Sequence, residues 1–161
     1  MNWRWRLGEV FGIVIYMHVT FLLLIGWFAI VPLLHGQGVS GAVASVLFVL
    51  LLFACVVMHE YGHALTARRY GIKTRDITLL PIGGVARLER MPEDPKQELL
   101  VALAGPAVNV VLAALLFAVL RLAGLPLIPP DAVPAFGRDL LSELFAANVF
   151  LALFKIGRAH V

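Results

Sequence analysis

Residues 10–34, 39–65 and 99–122 of this chain are almost continuously apolar, and a fourth apolar run begins near Leu140 and ends at Phe154. A helix needs about 20 such residues to cross the hydrocarbon core of a bilayer. The pattern therefore predicts an all-α polytopic membrane protein with three complete transmembrane helices and a truncated fourth, at about residues 10–34, 39–65, 99–122 and 140–154. Composition agrees, since 61% of the 161 residues are hydrophobic and 14% charged, against about a quarter charged in soluble domains. There is room for one domain of a few helices and little for a separate soluble module. Cys55 is the lone cysteine and sits in an apolar run, so it reads as a buried thiol rather than half of a disulfide.

The formal charge of +3 does not point to nucleic acid, because the basic residues are scattered beside hydrophobic segments without a dense, aromatic-interleaved patch. They read as topology signals for a lipid bilayer. Arg68, Arg69, Lys73, Arg75, Arg87, Arg90 and Lys96 lie between the second and third segments, whereas the connection over 122–140 carries only Arg138. By the positive-inside rule the N-terminus and the charged stretch are cytoplasmic. Trp3-Arg4-Trp5-Arg6 precedes a run with no small-residue cleavage site, so the first segment is expected to be retained. Trp3, Trp5 and Trp27 are expected at the membrane interface or in packing.

Within the charged stretch, residues 77–89 form two short β-prone runs separated by Pro81, Gly83 and Gly84, which predicts a small β-hairpin between helices two and three. Its backbone cannot face lipid unpaired. An exposed edge there could pair with an extended substrate, with Gly83 and Gly84 as candidate contacts. Asp94 and Pro95 supply an N-cap and a first helical residue for the third helix.

The chemistry concentrates in His59-Glu60-Tyr61-Gly62-His63. Two imidazoles four residues apart project from one face of a helix and can hold a single ion. Glu60, beside the first, is placed to take a proton from water as a general base. Ionisable groups inside a spanning segment cost about 2.5–3.5 kcal/mol each on insertion scales and are rarely kept without a functional partner. Zinc is the expected ion, one per chain. Gly105, Asn109 and Ala113 recur at helical spacing and suit close helix packing, while Asn109 and, with less support, Asn148 are also candidates for an oxyanion or substrate contact. His18 lacks a second ligand at helical spacing and His35 sits in a polar turn, so neither is assigned a role.

The order of these motifs resembles the site-two protease family of intramembrane zinc metalloproteases, in particular its bacterial branch that often carries C-terminal cystathionine-synthase-type domains. The resemblance runs over residues 7–154 and rests on His59 to His63, Ala67-Arg-Arg-x-Gly71, Gly83-Gly84, Ala104-Gly-Pro-Ala-Val-Asn109 and Asn148. It implies that His59 and His63 ligate zinc, that Glu60 is the catalytic carboxylate, and that the substrate is a membrane protein cut in or near a transmembrane segment. A bacterial inner-membrane location is expected, with His59 and His63 near the cytoplasmic end of the second helix by the positive-inside rule, and a homo-oligomer is compatible with it. The family's third ligand is an aspartate in an Asn-x-x-Pro-x-x-x-x-Asp-Gly type segment, expected to begin around position 155. Here the chain reads Lys155-Ile-Gly-Arg-Ala-His-Val161, which looks like a translated sequencing-library adapter, AAG ATC GGA AGA GCA CAC GTC. Residues 1–154 are therefore expected to be a partial metalloprotease domain, and 155–161 a non-native tail. Asp131, Asp139, Glu143 and His160 are not expected to replace the missing ligand, and the chain is expected to be inactive as it stands. The competing reading is a non-catalytic metal-binding membrane protein or a pseudoprotease.

Overall fold

The computed structural model describes residues 3–90, 92–127 and 139–156. The elements run β1 (Arg4–Val10), β2 (Ile13–His18), α1 (Thr20–Leu34), α2 (Gly38–Arg69), β3 (Thr74–Leu80), β4 (Gly83–Leu88), α3 (Pro95–Leu122) and α4 (Leu140–Ile156). This corrects the all-α expectation in two respects.

First, the apolar run over 10–34 is not one spanning helix. Phe11 and Gly12 both take left-handed φ values, 52° and 78°, and reverse the chain in a two-residue loop of the kind that matches strand twist. The residues on either side pair antiparallel, Val10 with Ile13 and Arg4 with His18, leaving α1 only 15 residues. At 1.5 Å per residue such a helix is about 22 Å long, short of the roughly 30 Å hydrocarbon core. Among the described residues two helices, α2 with 32 residues and α3 with 28, are long and apolar enough to cross, and α4 is a shorter apolar helix. In the most apolar windows of α2 and α3 only 33% and 28% of residues are buried. Core helices of a soluble protein bury most of their apolar surface, so these outward faces fit lipid.

Second, the expected hairpin, β3–β4, is half of a larger unit. The strand order is β1-β2-β3-β4, with β2 and β3 parallel, Val14 beside Asp76 and Met17 beside Leu79. A parallel pair needs a long crossover, which α1 and α2 provide. One face of the sheet presents Ile13, Ile15, Met17, Ile77 and Leu79 to the helices, where they join Phe21, Phe48, Val49, Phe53, Ala64 and Leu144 in the main core. The Phe21 and Phe53 rings meet edge to face at 4.4 Å. Tyr61 donates to Val10 O at 3.0 Å and Arg68 to Phe11 O at 3.1 Å, so α2 also holds the β1–β2 loop.

Asp94 caps α3, accepting from the Lys96 N–H at 2.9 Å, with Pro95 at the first turn. The helix then approaches α2 closely at glycines. A Cβ on Gly62 would stand 2.7 Å from Ala104 O and 2.9 Å from Val108 Cγ2. Gly62→Ala should therefore separate the helices and lower stability by about 1–3 kcal/mol in chemical unfolding of the detergent-solubilised chain. Gly26→Ala, where a Cβ meets nothing within 4 Å, should lose none.

Candidate metal centre

Helical spacing and a short helix–helix distance bring the two imidazoles together. His59 and His63 lie one turn apart on α2, their rings nearly perpendicular with centroids 4.7 Å apart and their Nε2 atoms 3.0 Å apart. His59 is 1% exposed and Glu60 5%. His63 Nδ1 lies 2.7 Å from Val101 O on α3. A carbonyl only accepts, so Nδ1 carries the proton and Nε2 keeps its lone pair, the arrangement usual for a metal-ligating histidine.

The space in front of both Nε2 atoms exists because position 105 is glycine. A Cβ there would fall 2.6 Å from His59 Nε2 and nearer still to His63 Nε2. Two nitrogens at 2.0–2.1 Å from a tetrahedral zinc stand about 3.3 Å apart, close to the separation found. The donor set, the tautomer of His63 and the cradle at Gly105 all fit zinc. Among the described residues no third His, Cys, Asp or Glu completes the group, and a catalytic zinc usually has three protein ligands. Asp139 and Glu143, at the start of α4, do not join the histidines. Asp131 and the tail residues 157–161, including His160, lie outside the described residues.

Glu60 turns toward the sheet. The Ala86 N–H donates to its Oε2 at 3.3 Å, and a Cβ on Gly84 would come within 2.9 Å of Glu60 Cγ and 3.0 Å of Val56 Cγ1. Gly84 thus lets β4 lie against the helix that carries the histidines, while Gly83, with φ at 134°, opens the strand. Behind this edge Arg87 binds Asp76 through two hydrogen bonds, 2.9 and 2.6 Å. That hydrogen bonding and the attraction of Asp76 raise the Arg87 pKa further, and the two bonds pin β4 to β3.

The two asparagines differ. Asn148, fully buried, donates to Leu144 O at 2.8 Å and to Cys55 Sγ at 3.4 Å, tying α4 to α2. Asn109 is equally buried, yet neither its Nδ2 nor its Oδ1 has a hydrogen-bond partner among the described residues. It lies one turn beyond Gly105 on α3. Helical spacing marks Gly105 as a packing residue, and nothing in the residue identities points to the Val101 carbonyl or the Ala86 N–H. The glycine's spacing from Asn109 was visible, but backbone groups leave no signature in side-chain identity. His18 is engaged locally, its Nδ1 2.8 Å from Thr20 Oγ1.

Known proteins resemble this chain in sequence and fold. The family model for peptidase family M50 matches residues 47–157. A Synechocystis protein named as a zinc metalloprotease is 38% identical over 97% of this chain and 41% of its own length. A zinc metalloprotease of Methanocaldococcus jannaschii is 36% identical over 74% of the chain and 33% of its own. The chain therefore spans about two fifths or less of the length of these curated relatives. The solved site-2 protease from the same archaeon superposes with a TM-score of 0.69 at 30% identity, covering 94% of this chain and 63% of that one. Two imidazoles converging on a glycine cradle, a four-stranded sheet against their helix and these matches lead to one conclusion: the chain belongs to peptidase family M50, the site-2 protease family.

Proposed function

We propose that this chain carries two of the zinc ligands and the general base of an intramembrane metalloprotease that hydrolyses peptide bonds in or near transmembrane segments of other membrane proteins. The observation that supports it most is the convergence of His59 Nε2 and His63 Nε2 in front of Gly105, with the His63 tautomer set by Val101 O. Zinc, when bound, supplies Lewis acidity that makes water a competent nucleophile near neutral pH. Glu60 accepts the proton that this water loses and returns it to the leaving amine.

A transmembrane helix hides its carbonyls in its own hydrogen bonds, so the substrate must unwind before attack. The outer edge of β4 is where the extended segment pairs. Register supports this: Ala86 points its N–H away from β3 to Glu60, and by the period of two Gly84 points its backbone groups the same way. Asn109 is a better candidate than Asn148 for donating to the developing oxyanion, because the Asn148 amide N–H groups are already engaged while Asn109 is uncommitted. The excess of basic residues between α2 and α3 supports a cytoplasmic position for the site end of α2.

A second reading, a metal-binding membrane protein without protease activity, draws on the lack of a third donor among the described residues. The two are separated by joining residues 1–154 to the C-terminal part of the Synechocystis relative. The chimera should bind zinc more tightly than the 161-residue chain and cleave a membrane-protein substrate. Zinc binding without cleavage would favour the second reading.

In that chimera Glu60→Gln should lower cleavage by about 100-fold or more while zinc content stays near one per chain. A variant retaining full activity would remove the assigned base. Gly105→Ala should lower zinc affinity by at least about tenfold, read by competition with a chromogenic chelator, because its methyl group fills the cradle.

A further inference from the structure

We infer that the Glu60 carboxylate caps the β4 edge at Ala86, so that an extended peptide can pair with the strand at that position only by displacing it. The inference rests on the reading of β4 as the pairing edge and adds what occupies that edge beforehand.

The observations come from three directions. β4 ends the strand order, and its outward backbone groups, at Gly84 and Ala86, have no neighbouring strand. Among them the Ala86 N–H donates to Glu60 Oε2 at 3.3 Å. Position 84 also lacks a side chain where a Cβ would strike Glu60 Cγ at 2.9 Å. Glycine there allows the carboxylate and the strand to meet, which marks Gly84 as a positioning residue.

A carboxylate at 5% exposure is costly to bury without donors, and a peptide N–H supplies one. A strand edge whose N–H and C=O groups are shielded from water without partners is costly too. The Ala86–Glu60 hydrogen bond serves both needs. It is also exchangeable: a pairing peptide offers a carbonyl to the Ala86 N–H, so the strand keeps its bond count while Glu60 gives up that bond. No proton or electron changes hands in the exchange. The occupant is a peptide in β conformation, since only that geometry presents carbonyls at strand spacing to Gly84 and Ala86 together.

The test reads binding rather than turnover. The 161-residue chain in lipid nanodiscs, held in chelator so that nothing is cleaved, is titrated with a fluorescein-labelled decapeptide rich in valine and threonine, followed by anisotropy. Glu60→Gln keeps an acceptor for the Ala86 N–H, and Glu60→Leu removes it at similar bulk. The leucine variant should bind about 3- to 10-fold tighter than the glutamine variant, the worth of one hydrogen bond. Equal affinities, or weaker binding by Glu60→Leu, would overturn the cap.

Ala86→Pro, which removes an outward N–H that an edge strand can spare, is then combined with each. It should weaken binding and abolish the difference between the two. If the proline weakens binding but the glutamine and leucine variants do not differ, the cap is wrong and the pairing edge stands. If the proline changes binding in neither, the edge itself is wrong and the cap falls with it. Should the proline variants not fold, the comparison of leucine with glutamine still decides the cap.

Discussion

The approach of α3 to α2 at Gly105 and Gly62 is the contact on which the remaining geometry depends. It brings the Val101 carbonyl within 2.7 Å of His63 Nδ1 and leaves room in front of both Nε2 atoms. A side chain at either glycine would enter backbone or imidazole atoms. Two helices in lipid have little hydrophobic reason to associate, and small residues that let backbones close up provide one. Here the same small residues bring the helix pair together and leave room beside the imidazole pair.

The sheet solves a different problem. Extended backbone packed against apolar helices must satisfy its own polar groups. Strands β1 to β4 do so by pairing in one four-stranded unit whose apolar face covers α2. The Arg87–Asp76 pair locks β4 to β3, and Tyr61 and Arg68 fasten the β1–β2 loop to α2. The helix that carries Glu60 is therefore held on two sides, by α3 through glycines and by the sheet through core side chains.

How much of this was legible beforehand depends on what each residue's identity encodes. His59, Glu60 and His63 were readable because helical spacing alone puts two imidazoles on one face, and Asp94-Pro95 because capping chemistry is local. The run over 10–34 misled, since the length test counts apolar residues and is blind to whether they helicise. The strand signal was present in Gly8, Gly12 and the β-branched Ile13, Val14 and Ile15, but it lay inside an apolar run long enough to span. The pairing of β2 with β3 was not legible, because it joins segments separated by two helices. Nor were the roles of Val101 O and the Ala86 N–H, which every residue type except proline shares at the donor.

The central claim, that His59 and His63 together hold one zinc ion, is tested most directly by zinc-edge X-ray absorption of the purified membrane-embedded chain loaded with one equivalent of metal. Two imidazole nitrogens at about 2.0–2.1 Å should be resolved, falling to one in His63→Ala. A first shell of oxygen alone, or a spectrum unchanged by His63→Ala, would contradict it.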